Sequence, residues 1–246
     1  MTAALYLAIV VPAYNEAARI AATLQRLRDH LLTRGWRWEI VVVDDGSSDD
    51  TARVVEEMSA MDPRVRVQRE PHRGKGGAVR AGLLASTAAY RFICDADLSM
   101  PVHELDRFMP PAIGDADVAI GSREGAGARR VGEPLLRHLA GRGFNFAVRR
   151  LMVPGVQDTQ CGFKMFTAAA VDAVFPSVTV EGWSFDVEVL YLARIRGLRL
   201  REIPIEWYYH RESRVRMLRD GVGMFRELLR MRRRARRGGY AVVRPS

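Results

Sequence analysis

The chain has 246 residues, 48% hydrophobic and 27% charged, which excludes wholesale disorder and a polytopic membrane protein and suits one large domain with an extension. Formal net charge is +9, but residues 211–237 hold eleven Arg against three acids, so residues 1–210 balance to zero and the basicity belongs to a tail. No apolar run approaches the roughly 20 residues of a membrane span, no basic region precedes an apolar stretch at the start as in a secretory signal, and two cysteines, Cys94 and Cys161, favour a reducing compartment over a disulfide scaffold.

Leu7–Pro12 is a short apolar run ending in Pro and predicts a buried strand. Asn15 is placed to cap the helix that follows, whose apolar positions Ile20, Leu24, Leu27 and Leu31 recur at helical spacing. Glu39–Asp44 predicts a second buried strand. The turn at 46–50 leads into a helix over 51–61. Val65–Gln68 is a third strand. The Gly-rich turn at 73–77 opens another helix. Arg91–Asp95 and Asp117–Gly121 are the fourth and fifth strands. Residues 124–134 are rich in Gly and Arg and read as a mobile loop, the stretch 135–210 is less regular, and a last helix covers 216–235 before a loose end at 238–246. Strands alternating with helices predict a mostly parallel α/β sheet with helices on both faces. Ligands of such sheets bind beyond the carboxyl ends of the strands. The polar strand ends at 14–16, 44–45, 95–97 and 122–123 therefore converge on one crevice.

Three constellations carry chemistry. Asp95-Ala96-Asp97 puts two carboxylates at the exit of an apolar strand, where oxygen ligands suit Mg²⁺ or Mn²⁺ and, through it, a diphosphate. Asp44-Asp45-Gly46-Ser47 fits either a helix-capping turn or a carboxylate that accepts the N–H of a nucleobase. Arg73-Gly74-Lys75-Gly76-Gly77 lets backbone approach a phosphate at a helix start without matching a P-loop. Lys75 and Lys164 are the two lysines among 38 basic residues, which makes both candidates for specific roles.

Together with Pro12-Ala13-Tyr14-Asn15-Glu16, these motifs resemble glycosyltransferase family 2. In the second half, Asp158–Lys164, Glu181–Glu188, Gly121–Arg123 and Trp207 with Ser213-Arg214 are similar to polyprenyl-phosphate glycosyltransferases, dolichyl-phosphate β-glucosyltransferases first and dolichyl-phosphate mannose synthases next. The resemblance implies a GT-A (Rossmann-like) catalytic domain over 1–210, and charge and helical spacing mark 211–246 as a basic amphipathic helix and tail. It implies inverting, metal-dependent transfer of a sugar from a nucleotide diphosphate, UDP-glucose in preference to GDP-mannose, to a polyprenyl phosphate. Pro12, Ala13, Tyr14, Glu16, Asp44, Asp45, Gly74, Lys75, Asp95, Ala96 and Asp97 then fall at the nucleotide, with Asp45 as the base reader. Asp95, Asp97 and Ser99 fall at the metal. Arg123, Gln160 and Arg214 fall at the acceptor phosphate or leaving diphosphate. Asp158 falls beside Asp97 in the catalytic centre, as a base or as a group that holds the acceptor.

Leu218, Val222, Phe225 and Leu229, widened by Met217, Met224, Leu228 and Met231, form an apolar face opposite Arg219, Arg226, Arg230, Arg233 and Arg237. That pattern suits a helix on an anionic membrane, or one whose apolar face packs on the catalytic core while the arginines reach lipid. Either places the chain as a peripheral protein on the cytoplasmic membrane face. Rival readings are a family 2 enzyme with a non-lipid acceptor, a nucleotidyltransferase, and a basic nucleic-acid binder. The nucleotidyltransferase expects a Gly-rich basic loop where Pro12–Glu16 stands. The balanced charge of 1–210 and the lack of a recognised motif argue against nucleic acid.

Overall fold

The computed structural model describes residues 4–209 and 217–240. Its main sheet has seven strands in the order β3-β2-β1-β4-β7-β5-β8. β1 (Leu7–Ala13) lies between β2 (Trp38–Asp45) and β4 (Tyr90–Ile93), parallel to both, and β3 (Val65–Glu70) runs parallel to β2 outside it. β5 (Val118–Ser122) pairs parallel with β8 (Leu200–Pro204). β7 (Lys164–Thr167) is inserted antiparallel between β4 and β5. The sheet is therefore mostly parallel, as the alternating pattern predicts.

Both faces of the central strands are covered, which is why these strands read as continuous apolar runs rather than alternating ones. Leu7, Ile9, Val11, Ile40 and Val42 pack into one cluster with Ile20, Leu24, Leu27 and Leu31 of α1 (Ile20–Leu32) and Val55 of α2 (Thr51–Met61). Val10, Val41 and Val43 face the other side, against Val79 and Leu83 of α3 (Lys75–Ala85). That second layer also holds α4 (Leu135–Leu151), α5 (Ala168–Val174) and α6 (Phe185–Ile195).

Three expectations are corrected. Asn15 does not cap α1, which starts at Ile20. It adopts φ +51°, and its Oδ1 accepts the N–H of Ser48 at 2.7 Å, so its side chain joins two loops instead of starting a helix. The Gly/Arg stretch 124–134 is not merely a loop, because Arg129–Val131 forms β6, paired parallel with β9 (Glu206–Tyr208) in a second small sheet.

At the end of the chain, one of the two expected arrangements is found, with part of the apolar face packed on the core. α7 (Met217–Arg236) packs against α4. Its apolar residues divide: Leu228 and Met231 are buried in the core, while Phe225 and Leu229 stay exposed beside Arg226, Arg230 and Arg233. Burying two such side chains contributes roughly 1.5–3 kcal/mol each, so α7 belongs to the catalytic body. Finally, 238–240 is not loose, since Tyr240 is buried in that same core. Leu218, Val222 and the rest of the helix's first turns fall among residues whose side chains lie outside the described set.

Candidate active site

The parallel pairing of β1 with β2 and β4 brings residues 14–16, 44–45 and 95–97 to one edge of the sheet. β5 runs in the same direction, because it is antiparallel to β7, which is antiparallel to β4. Ser122 and Arg123 thus reach that edge too, and the predicted convergence is realised.

The Asp95–Asp97 segment is held at both ends. Buried Thr23 of α1 donates its hydroxyl to the carbonyl of Ala96 at 2.6 Å. Asp97 Oδ1 accepts the N–H of Ser99 at 3.0 Å, turning the chain through Leu98, whose φ is +44°. Asp97 Oδ2 makes no protein hydrogen bond among the described residues. Asp95 rests on Gly162, where an added Cβ would lie 1.9 Å from its Oδ2.

The Lys75 ammonium meets Asp95 Oδ1 at 2.5 Å and lies 5.6 Å from the centre of the Trp183 ring. Burial disfavours that ammonium, but Asp95, Asp186 and Asp97 outweigh the burial and hold its pKa above the ordinary value. Burial raises the pKa of Asp95, assisted by Asp97 and opposed by Lys75. Behind them, wholly buried Lys164 pairs with Asp186 at 2.7 Å and donates to the carbonyl of Cys161. Three carboxylates therefore face two ammonium groups. A divalent cation would reverse that surplus of negative charge and leave the site attractive to a diphosphate.

The donor set fits Mg²⁺ or Mn²⁺ in chemistry and in number. No cluster of three His, Cys, Asp or Glu side chains suited to a metal occurs among the described residues. Asp97 and Asp95 are the two carboxylates that would hold such a cation, which commonly completes its shell with waters and phosphate oxygens. Ser99 is buried, and its side chain makes no hydrogen bond among the described residues.

The Gly-rich loop behaves differently from expectation. Four of its amides are already occupied: those of Arg73 and Gly74 donate to Asp45 at 2.9 Å each, and those of Gly76 and Gly77 donate to the carbonyl of Glu181 at 2.7 and 3.3 Å. Gly74 needs its φ of +113°, and an added Cβ would lie 2.7 Å from that same carbonyl. Only the Lys75 side chain projects toward the carboxylates, so Gly74 contributes shape rather than a phosphate contact. Asp45 also receives His72 at 2.8 Å, and His72 stacks on Tyr14 at 4.2 Å. With both oxygens engaged, Asp45 builds the loop. Asp44 keeps Oδ2 open, its Oδ1 accepting the N–H of Ser47 at 3.2 Å. Pro12 and Ala13 form the end of β1, and the Glu16 carboxylate pairs with Arg19 at 2.7 Å.

Asp158, expected as a base or as a group that holds the acceptor, is engaged in an ion pair. It is wholly buried and grips Arg123 in a bidentate pair at 2.7 and 2.8 Å, while also accepting the N–H groups of Arg123 and Gln160 at 2.9 and 3.3 Å. Burial pushes its carboxyl pKa up, but Arg123 outweighs this and brings it down to about 2. Both of its carboxylate oxygens are thus engaged by Arg123. Asp158 aims Arg123, whose guanidinium also lies 5.4 Å from the centre of the Trp207 ring. Gln160 is half-buried beside this pair. Arg214 lies outside the described residues.

Residues 8–175 match the model of Glycosyl transferase family 2. The chain belongs to this family. It is a glycosyltransferase. Family members similar to it include dolichyl-phosphate beta-glucosyltransferases of Saccharomyces cerevisiae and Homo sapiens, each 33% identical over 93% and 95% of this chain and 74% and 77% of theirs. A Trichomonas vaginalis relative, dolichyl-phosphate beta-glucosyltransferase ALG5C, is 35% identical over 86% of this chain, which spans 66% of its length. Among solved structures, glucosyl-3-phosphoglycerate synthase from Mycobacterium tuberculosis in complex with uridine-diphosphate superposes with a TM-score of 0.68 at 19% identity, covering 95% of this chain and 80% of that one. The same enzyme has been solved with Mn²⁺, uridine-diphosphate and glucosyl-3-phosphoglycerate, at TM-score 0.67 and again 19% identity. These likenesses bear out the GT-A architecture, and the latter fold neighbour binds a divalent cation together with a nucleotide.

Sequence reasoning misses His72, which carries no motif, and the parts played by Asp186, Glu188 and Trp207, which lie within motifs but whose partners are distant in the chain. Phe185 is a buried core aromatic, whereas Trp183 is over a third exposed beside Lys75.

Proposed function

We propose that this glycosyltransferase moves glucose from UDP-glucose to a polyprenyl phosphate such as dolichyl phosphate, with inversion. The observation that carries the reading is likeness over more than nine-tenths of the chain to dolichyl-phosphate beta-glucosyltransferases, joined to a lysine and two aspartates at one strand end. Asp44 Oδ2 is the oxygen left for the base N–H, with Tyr14 stacked on His72 beside it. Asp97 and Asp95 would hold Mg²⁺ or Mn²⁺, and that cation would supply positive charge against the leaving diphosphate. Lys75 turns from Asp95 to the same diphosphate and adds preorganised positive charge. Arg123, fixed by Asp158 and Trp207, presents its open edge to the acceptor phosphate and holds it for in-line attack. That phosphate is already anionic near neutral pH, because its second pKa is about 6. No protein base is needed, which agrees with an Asp158 locked in an ion pair.

The acceptor is a lipid, and two helices suit a peripheral place on the cytoplasmic membrane face. α4 carries no acidic residue and exposes Leu135, Leu139 and Phe146 beside Arg142 and Arg150. Neighbouring α7 exposes Phe225 and Leu229 beside Arg226, Arg230, Arg233 and Arg236. No helix among the described residues is long and apolar enough to cross a membrane.

The test is a panel of UDP- and GDP-sugars with polyprenyl phosphate and a water-soluble acceptor, read by mass spectrometry. A glucosylated lipid phosphate, formed with UDP-glucose and lost in excess chelator, is the expected product. Transfer only from GDP-mannose, or only to the soluble acceptor, overturns the substrate assignment.

A further inference from the structure

Glu188 lies on α6 with 0% of its surface exposed. A buried carboxylate is costly unless its oxygens are hydrogen-bonded, and every bond here leads to one of two places. Oε2 accepts the N–H groups of Thr179 and Val180 at 2.7 Å each, and Oε1 accepts the Thr179 hydroxyl at 2.8 Å. Oε1 also accepts the Tyr240 hydroxyl at 2.6 Å. Arg234 of α7 stands 3.8 Å from Oε1, donates to Thr179 Oγ1, and lies 4.6 Å from the centre of the Tyr240 ring. One buried charge thus ties the end of the chain to residues 179–180.

The tied segment reaches the lysine site directly. Its next residue, Glu181, offers the carbonyl that receives the amides of Gly76 and Gly77 in the first turn of α3. Lys75 is the residue before them. Two residues beyond Glu181, Trp183 flanks the Lys75 ammonium. The path from α7 to the ammonium therefore runs through hydrogen bonds and neighbouring peptide units, with no unsupported loop between.

We propose that Glu188, Tyr240 and Arg234 form a positioning device by which the C-terminal helix sets the Gly-rich loop and aims Lys75 at the donor. The tail is a working part of the donor site and not only a means of meeting lipid. The inference rests on the reading that Lys75 faces the donor diphosphate. Tyr240→Phe keeps the ring and removes one donor from Glu188. Glu188→Gln keeps the shape and removes the charge that gathers both partners.

The experiment is calorimetry of the full chain with UDP and Mn²⁺, without lipid, alongside steady-state assays with a short-chain polyprenyl phosphate. Both variants are expected to bind UDP roughly tenfold more weakly, equivalent to about 1.4 kcal/mol. Their kcat/KM for the donor falls in step, and the KM for the acceptor stays within twofold. A device that only adds stability lowers the melting temperature and leaves UDP affinity unchanged; UDP affinity within twofold of the unmodified chain overturns the proposal. Should Glu188→Gln fail to fold, Tyr240→Phe decides alone. If the unmodified chain itself does not bind UDP with Mn²⁺, the donor reading fails and takes this inference with it. That outcome is distinct from a binding chain with indifferent variants.

Discussion

Replacing Asp97 by Asn keeps the volume of the side chain and an oxygen able to accept the N–H of Ser99 at 3.0 Å, but it removes the charge that a divalent cation needs. The expected result is a fall in kcat of at least about a hundredfold, the scale on which one preorganised electrostatic group acts. Thermal unfolding should show a change within about 0.5 kcal/mol. Near-normal turnover by a well-folded Asp97→Asn would remove the metal from the mechanism. Asp158→Asn should behave in the opposite sense, as a stability defect first. It strands the half-buried Arg123 charge beside a wholly buried position, and breaking a fully buried pair costs about 3–5 kcal/mol, which sets the upper bound here. The pH dependence follows from direction. The folded pKa of Asp158, about 2, lies below its ordinary value of 3.8. Stability from the pair is therefore complete above that ordinary value and is lost as pH falls through the folded one. Acid denaturation of the two proteins should show a gap that is constant near neutrality and closes below about pH 4. A gap that instead closes between pH 6 and 8 would mean that another group is involved.

Elements differ in how well the sequence announces them. The strands at 7–13, 38–45 and 118–122 are legible because burial on both faces leaves an uninterrupted apolar run. α1 is legible from four residues at helical spacing, all buried, but its start is not, because Asn15 uses its side chain on Ser48 and a long-range partner leaves no local signal. β7 is hidden for a related reason. It is four residues long and begins with a buried lysine, which is intelligible only once Asp186 is seen opposite. The Asp-x-Asp and Gly-rich motifs reveal the site. The division of labour within Asp44-Asp45, and the use of Asp158 to hold Arg123, depend on which oxygen faces which amide. Gly162 gives an element-scale test. It precedes β7 by two residues and lets Asp95 lie against the backbone. Gly162→Ala would place a carbon 1.9 Å from Asp95 Oδ2 and push that carboxylate aside. A cost of about 1–3 kcal/mol in stability should accompany a loss of metal-dependent activity that excess Mn²⁺ partly restores. Unchanged activity would mean that Asp95 has room to move.

At the scale of the whole molecule, the placement of α4 and α7 bears on how a chain with balanced charge over 1–210 and a strongly basic end would meet the proposed lipid acceptor. Truncating the tail would not isolate membrane contact, because Leu228, Met231 and Tyr240 are part of the core. Substitutions on the outward faces do isolate it. Phe225 and Leu229 are 44% and 46% exposed, and Leu135 and Phe146 are 79% and 59% exposed, so glutamates there leave the core intact. Each basic residue near an anionic surface is worth about 1 kcal/mol. This attraction is screened as the Debye length shrinks from about 10 Å at 0.1 M salt to about 3 Å at 1 M. Inserted apolar side chains add a contribution that salt does not weaken in this way. The unmodified chain should therefore float with anionic liposomes at low salt and be released in large part, not wholly, at 1 M. Phe225→Glu with Leu229→Glu, and separately Leu135→Glu with Phe146→Glu, should each abolish flotation while UDP binding and the melting temperature stay near those of the unmodified protein. Flotation of both double variants at the unmodified level would show that these helix faces do not touch the membrane.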